Sequence, residues 1–163
     1  MTDVTIRPGR PDDAAAASDL AFRAKSSAGY PQEWLALWRD ALTIRPDELG
    51  TRPSFVAVRG RDIVGICVLE TRGHDASLEH LWVAPGLQRH GIGRTLVERV
   101  LTLAASAGVR RVEVESDPSA KAFYLRLGAH NCGDRPAPMP GAPERRLPLL
   151  EFALDERPFD AGG

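Results

Sequence analysis

Gln88-Arg89-His90-Gly91-Ile92-Gly93 sits between a strand-like run and the clearest helix of the chain. Behind it, Ile92, Leu96, Val100 and Ala104 recur at four-residue intervals, and Val97, Leu101 and Ala107 widen the apolar stripe. Gly108 is placed to stop that helix. In front of it, Ser77 to Val83 reads as a strand, ended by Ala84-Pro85-Gly86. The order is therefore strand, turn, glycine-containing loop, helix. The helix start has no Ser, Thr, Asp or Asn at the expected cap, so its free N–H groups need another acceptor. A phosphate fits that need, because the N–H groups and the helix dipole both favour an anion. Arg89, His90 and Arg94 add positive or titratable charge, and glycine keeps side chains out of the ligand's way.

Two known phosphate loops fail against these letters. Gly86 to Gly91 has P-loop spacing, but Ile92 and Gly93 stand where Lys and Ser/Thr belong. Gly91-Ile92-Gly93 begins a dinucleotide-binding fingerprint, but Leu96 replaces its third glycine.

Working outward, Thr2 to Arg7 reads as a strand stopped by Pro8, and Pro11-Asp12-Asp13 starts a helix reaching about Lys25. Pro31 opens a second helix through roughly Leu42, carrying Trp34, Leu35 and Trp38. Asp47 to Pro53 reads as a polar connector. Phe55 to Val58 and Ile63 to Leu69 form a hairpin pattern around a loop from Arg59 to Asp62. Arg111 to Ser116 alternates as a strand, with Val112 and Val114 on one face and Glu113 and Glu115 on the other. Ala120, Phe123, Tyr124 and Leu127 mark a short helix closed by Gly128. Gly133 to Pro148 holds five prolines and reads as a loop, followed by a last strand from Leu149 to Leu154. One domain over residues 1–154 with a frayed tail over 155–163 is expected.

Composition narrows the class. With 163 residues and 43% apolar content, the chain has enough material for one real core. A net charge of −1 provides no whole-chain field to recruit nucleic acid or an anionic membrane. Cys67 lies in an apolar run and reads as a buried, inert thiol. Two cysteines without metal-ligand spacing suggest neither a disulfide scaffold nor zinc, so no metal is expected. No signal peptide or membrane span is visible, and a cytoplasmic protein is expected.

Gln88-Arg89-His90-Gly91-Ile92-Gly93 resembles the Q/R-x-x-G-x-G/A signature of the GNAT N-acetyltransferase superfamily. Glu79-His80-Leu81-Trp82-Val83-Ala84-Pro85 resembles its preceding strand, and Ala120 to Ala129 resembles its A-x-x-F-Y-x-x-L-G helix. The resemblance implies a single α/β (α+β) domain whose mixed, mostly antiparallel sheet is flanked by helices and splays open near Val83. It implies acetyl-CoA as co-substrate, with the backbone of Leu81, Trp82 and Val83 on the pantetheine arm. The amides of Gln88, Arg89, His90, Gly91, Ile92, Gly93 and Arg94 would take the pyrophosphate. The family often has Asn where this chain has Asp117, which cannot donate the amide N–H to the pantetheine; Asp117 is carried over as a cofactor contact despite that departure.

Acyl transfer to an amine requires loss of a proton from the acceptor and favours protonation of the departing thiolate. Tyr124 is the candidate acid; its periodicity alone fits a packed aromatic, and the family match gives it the catalytic role. Glu79 is the candidate base, in balance with an ordinary surface role, and Glu113 is its rival. His80 shares parity with Leu78 and Trp82 and reads as packed. Tyr30, Trp34 and Trp38 fall on the family's substrate side, although their helical spacing reads as core packing. The expected partner is a small-molecule or peptide amine, with homodimerisation left open. A non-catalytic acyl-CoA sensor is the alternative.

Overall fold

The computed structural model describes residues 3–154. The expected tail over 155–163 lies outside the described residues. In chain order the elements are β1 (Val4–Pro8), a 3₁₀ turn (Pro11–Asp13), α1 (Ala14–Ser26), α2 (Gln32–Leu37), α3 (Arg39–Leu42), α4 (Pro46–Thr51), β2 (Ser54–Arg59), β3 (Asp62–Arg72) and β4 (Asp75–Val83). Then come α5 (Ile92–Ser106), β5 (Arg111–Glu115), a second 3₁₀ turn (Pro118–Ala120), α6 (Lys121–Arg126), β6 (His130–Pro136) and β7 (Arg146–Ala153). The seven strands form one open sheet in the order β1-β2-β3-β4-β5-β7-β6. β4 and β5 pair in parallel, whereas β1–β2, β2–β3, β5–β7 and β6–β7 are antiparallel. This is the mixed, mostly antiparallel architecture that the family resemblance implies.

The chain divides into two compact units. The first takes the chain up to Leu69 and then Glu79–Val100. On the β2–β3 hairpin, Ala57 and Gly65 face Ile92 and Leu96 of α5, while Val56, Val64, Ile66 and Val68 are buried on the opposite face of the sheet. Gly65 sets how closely helix and strand approach. A Cβ there would lie 2.9 Å from a methyl of Leu96, 3.0 Å from one of Ile92 and 3.2 Å from Ala57. The glycine is required by that crowding, since only a residue without a side chain lets α5 sit so near β3.

The second unit takes Glu70–Leu78 and the described chain from Leu101 onward. Asp75, Ala76 and Ser77 pair with Arg111, Val112 and Glu113. That ladder covers three residue pairs, so Leu78 to Val83 run beyond it. β5 alternates as its sequence predicts, with Val112 and Val114 buried between exposed Arg111, Glu113 and Glu115. Cys67 and Cys132 are both free thiols; Cys67 is buried, and burial pushes its pKa up, consistent with an inert role.

Several expectations need correcting. Asp47 to Pro53 is not simply a connector, because Pro46–Thr51 forms α4. Pro46 occupies its first turn, and Glu48 accepts from the Arg45 N–H at 2.7 Å, a capping arrangement anchored by buried Leu49. The second helix is broken at Trp38 into α2 and α3. The hairpin turn holds only Gly60 and Arg61, with Arg59 opposite Asp62 and Gly60 at φ +64°.

The Pro-rich segment is not all loop, because Gly133 to Pro136 lie in β6 and Arg146 to Pro148 in β7. β6 lies at the end of the strand order, where a missing N–H is tolerated, and an irregularity between Asn131 and Asp134 bends it. Pro148 lies beyond the last β5–β7 pair, Glu115–Leu149, and its carbonyl accepts from Ser116 N–H at 2.9 Å. β1 likewise runs through Pro8 because it is an edge strand.

Candidate active site

The expected cofactor residues other than Asp117 lie on one stretch of the first unit, from Leu81 to Arg94, whereas Asp117 belongs to the second unit. β4 ends with Leu81, Trp82 and Val83, all partly exposed. Ala84 N–H donates to the Val64 carbonyl at 2.9 Å, which ties the strand end to β3. Leu87 N–H then closes a turn onto the Ala84 carbonyl at 3.0 Å, with Gly86 at φ +90°. Gln88, Arg89, His90 and Gly91 are exposed, and α5 starts at Ile92.

Two residues of this loop take left-handed backbone. Gly91 has φ +83° and Arg89 has φ +72°. A non-glycine residue in that region costs of order ~1–3 kcal/mol and persists where its surroundings over-determine it. A Cβ at Gly91 would meet nothing within 4 Å, so the need for glycine is conformational and the space before it is open. The Gly91 carbonyl is taken by Thr95 N–H at 3.0 Å and Thr95 Oγ1 at 2.9 Å. Helix geometry then leaves the Ile92, Gly93 and Arg94 N–H groups without intrahelical acceptors. Arg94 is drawn toward Glu98, one turn along α5, at 3.0 Å. Arg89 and His90 stand exposed beside the loop. A glycine-led helix start of this kind, with Arg89 beside it, is chemically able to accept an anion.

The acid–base candidates occupy both units. Glu79 lies on β4 with its side chain exposed. His80 beside it is 7% exposed, so the expected packing is correct, but it has a polar partner that the sequence did not reveal. Trp82 Nε1 donates to His80 Nδ1 at 3.0 Å. An indole N–H only donates, so Nδ1 carries the lone pair and the imidazole is neutral in this arrangement. Burial holds the His80 pKa down, opposed by the charges of Glu48 and Glu79. The only available sequence signal was the shared parity of positions 80 and 82 on one strand.

In the second unit Tyr124 is 6% exposed on α6. Its ring meets Phe123 and Phe152 edge-on at centroid distances of 5.1 and 6.4 Å. Asp117 caps the turn that leads into α6, its Oδ1 accepting from Ser119 N–H at 2.9 Å and Ser119 Oγ at 2.7 Å. Glu113, the rival base, is exposed on β5 opposite Glu151. Its neighbour on the same face, Glu115, is gripped by Arg135 at 2.7 and 2.8 Å, which holds the Glu115 carboxyl below its ordinary pKa. A cavity of about 150 Å³ lined by Lys121, Asn131, Asp134 and Arg146 contains none of the expected site residues.

A family model for the acetyltransferase (GNAT) family matches residues 17–129, and the chain belongs to that family. No curated protein matches the sequence at a significant level. Among solved structures, the ribosomal-protein-S18-alanine N-acetyltransferase of Escherichia coli is similar over 97% of this chain and 98% of its own, at 20% identity and TM-score 0.72. The PaiA N-acetyltransferase of Thermoplasma acidophilum, in complex with coenzyme A, is similar over 93% and 99%, at 15% identity and TM-score 0.71. The structure of yncA from Salmonella typhimurium with its cofactor acetyl-CoA covers 94% and 95%, at 21% identity and TM-score 0.70. At these identities the likeness is one of fold.

Proposed function

We propose that this chain transfers an acetyl group from acetyl-CoA to a primary amine of a small molecule or protein. The observation that carries this reading is the left-handed loop at Arg89 and Gly91 opening onto the start of α5, within a GNAT domain. The residues present fit the co-substrate. The open space before Gly91, the N–H groups that start α5 and the exposed Arg89 and His90 suit a pyrophosphate. The backbone of Leu81, Trp82 and Val83 would take the pantetheine arm, with Asp117 a further contact. When bound, acetyl-CoA supplies the activated thioester carbonyl.

Two side chains carry the proton chemistry in this proposal. Tyr124 donates to the thiolate as the C–S bond breaks, and a phenol suits that role because it stays protonated at neutral pH. Glu79 takes a proton from the acceptor's ammonium, directly or through water, and the lone pair of the resulting free amine forms the N–C bond as the C–S bond breaks. Support for Glu79 over Glu113 is its exposed position on the strand that leads into the cofactor loop.

Thiol release from acetyl-CoA across a panel of amines tests the reading. At least one amine class should give turnover, and Glu79→Gln should lower kcat/KM most at low pH, where little free amine is present. Binding of acetyl-CoA with no thiol release from any amine would identify the chain as a sensor instead.

A further inference from the structure

The second half of β4 carries a clasp within a single strand. Alternate side chains of a strand share a face, so His80 and Trp82 lie on one side of β4 and Glu79, Leu81 and Val83 on the other. Trp82 Nε1 donates to His80 Nδ1 at 3.0 Å, with the ring centroids 6.4 Å apart at 48°. The bond spans Leu81 and ties two residues of one strand rather than two elements. This segment runs beyond the β4–β5 ladder, whose last pair is Ser77–Glu113.

Packing alone does not call for a histidine here. His80 is buried, and a buried ring nitrogen costs free energy unless it is hydrogen-bonded. The indole meets that need only while Nδ1 keeps its lone pair. In the imidazolium both ring nitrogens are donors, so N–H would face N–H and the bond would be lost. The charged groups around the imidazole are Glu48 of α4, Arg52 at the C-terminal end of that helix, and Glu79 on β4 itself. Burial is the largest influence and favours the neutral ring; Glu48 and Glu79 pull the other way, and Arg52 sides with burial. Arg52 also pairs with Glu48 at 3.0 Å, which blunts the pull of that carboxylate.

We propose that His80 is a positioning residue: its neutral Nδ1 holds the Trp82 indole, and with it the Leu81–Val83 backbone, in the form that receives the pantetheine arm, and protonation of His80 opens the clasp. The positioning role rests on the proposed use of acetyl-CoA; the clasp itself does not. Opening falls on the acid side of the ordinary histidine range, because burial holds the imidazole pKa down.

The test follows the Trp82 indole N–H resonance of the free protein by NMR as pH falls, assigned by its absence in Trp82→Phe. Wild type should show one transition, shared with the His80 ring resonances, and faster indole exchange with water below it. His80→Asn sets an amide oxygen near the place of Nδ1 and cannot titrate, so it should keep the bond and lose the transition. Trp82→Phe should move the His80 ring transition to higher pH, because the lost bond favoured the neutral form. Each variant is used only where its circular dichroism matches wild type, and the wild-type titration needs neither. The second arm is acetyl-CoA affinity over the same pH range. It should weaken about twofold to tenfold more in wild type than in His80→Asn, the worth of one hydrogen bond, while titration of the cofactor's own phosphate cancels between the two proteins. The clasp is overturned if the wild-type indole resonance does not follow His80, or if His80→Asn shows the same transition. The positioning role is overturned if both proteins lose affinity in parallel. Acetyl-CoA that binds neither protein at any pH overturns the proposed cofactor and the positioning role with it, while the indole titration still decides the clasp.

Discussion

Two helix starts in this molecule handle the same physical problem in opposite ways. At the turn leading into α6, Asp117 supplies its own carboxylate and caps Ser119 at both N–H and Oγ. At α5 the residue in the corresponding place is Gly91, which has no side chain, and its carbonyl is turned inward to Thr95. The first start is closed by the chain itself. The second follows a left-handed Arg89 and Gly91, and in the proposed function its first N–H groups take the pyrophosphate. The difference separates two proposed roles: the α5 start takes the cofactor pyrophosphate, and the Asp117 turn leads into the helix that carries Tyr124 and adds a further cofactor contact.

The largest effect expected from the α6 side is chemical. Tyr124→Phe keeps the ring among Phe123 and Phe152 and removes the hydroxyl, so kcat should fall by ~10²–10⁴-fold, the range of a lost general acid. The Kd for acetyl-CoA should hold. An unchanged kcat would reduce Tyr124 to packing and leave the second unit without a catalytic role.

A smaller effect is expected where the α5 start is seated. Gly65→Ala places a methyl against Leu96, Ile92 and Ala57. Overpacking of this kind costs about 1–3 kcal/mol, to be read from urea denaturation. Because the strain falls on the first turns of α5, acetyl-CoA affinity should drop as well. Loss of stability with intact affinity would show that the loop is positioned independently of that packing.

The smallest effect belongs to the closed start. Asp117→Ala should cost about 0.5–2 kcal/mol of stability, as for other lost caps. Asp117→Asn should retain most of that stability, since Asn caps equally well, and should bind acetyl-CoA at least as tightly because it adds an amide donor. Weaker binding by the Asn variant would mean that the carboxylate itself is the wanted contact.

Legibility in the sequence followed the same physical divide. α5 and β5 were visible because each buries one face against a continuous core, which forces a period on the letters. α4 was missed because a helix of six residues anchored by Leu49 alone has no period, although Pro46 and Glu48 did carry the start signal. The β6 strand is not legible because prolines argue against strands only where a neighbour needs the N–H, and sequence does not say which strand is at an edge. Gly65 left no trace, since a glycine within an apolar strand looks like a weak spot until the helix above it is placed. The strand–turn–glycine loop–helix order around Gly91 is legible in the sequence, but the left-handed backbone of Arg89 is not, because its residue type does not call for it. The pairing of Trp82 with His80 was hidden in parity alone.

The melting temperature with and without acetyl-CoA tests the proposed role of the α5 start most directly. A ligand that binds only the native state must raise Tm by mass action. Wild-type protein should shift upward with saturating acetyl-CoA and not with ATP or NAD. Gly91→Asp should lose the shift while remaining folded, because aspartate tolerates left-handed backbone yet sets a carboxylate before the pyrophosphate. A wild-type melting curve unmoved by acetyl-CoA, or a Gly91→Asp variant that shifts as wild type does, would contradict the assignment of this loop.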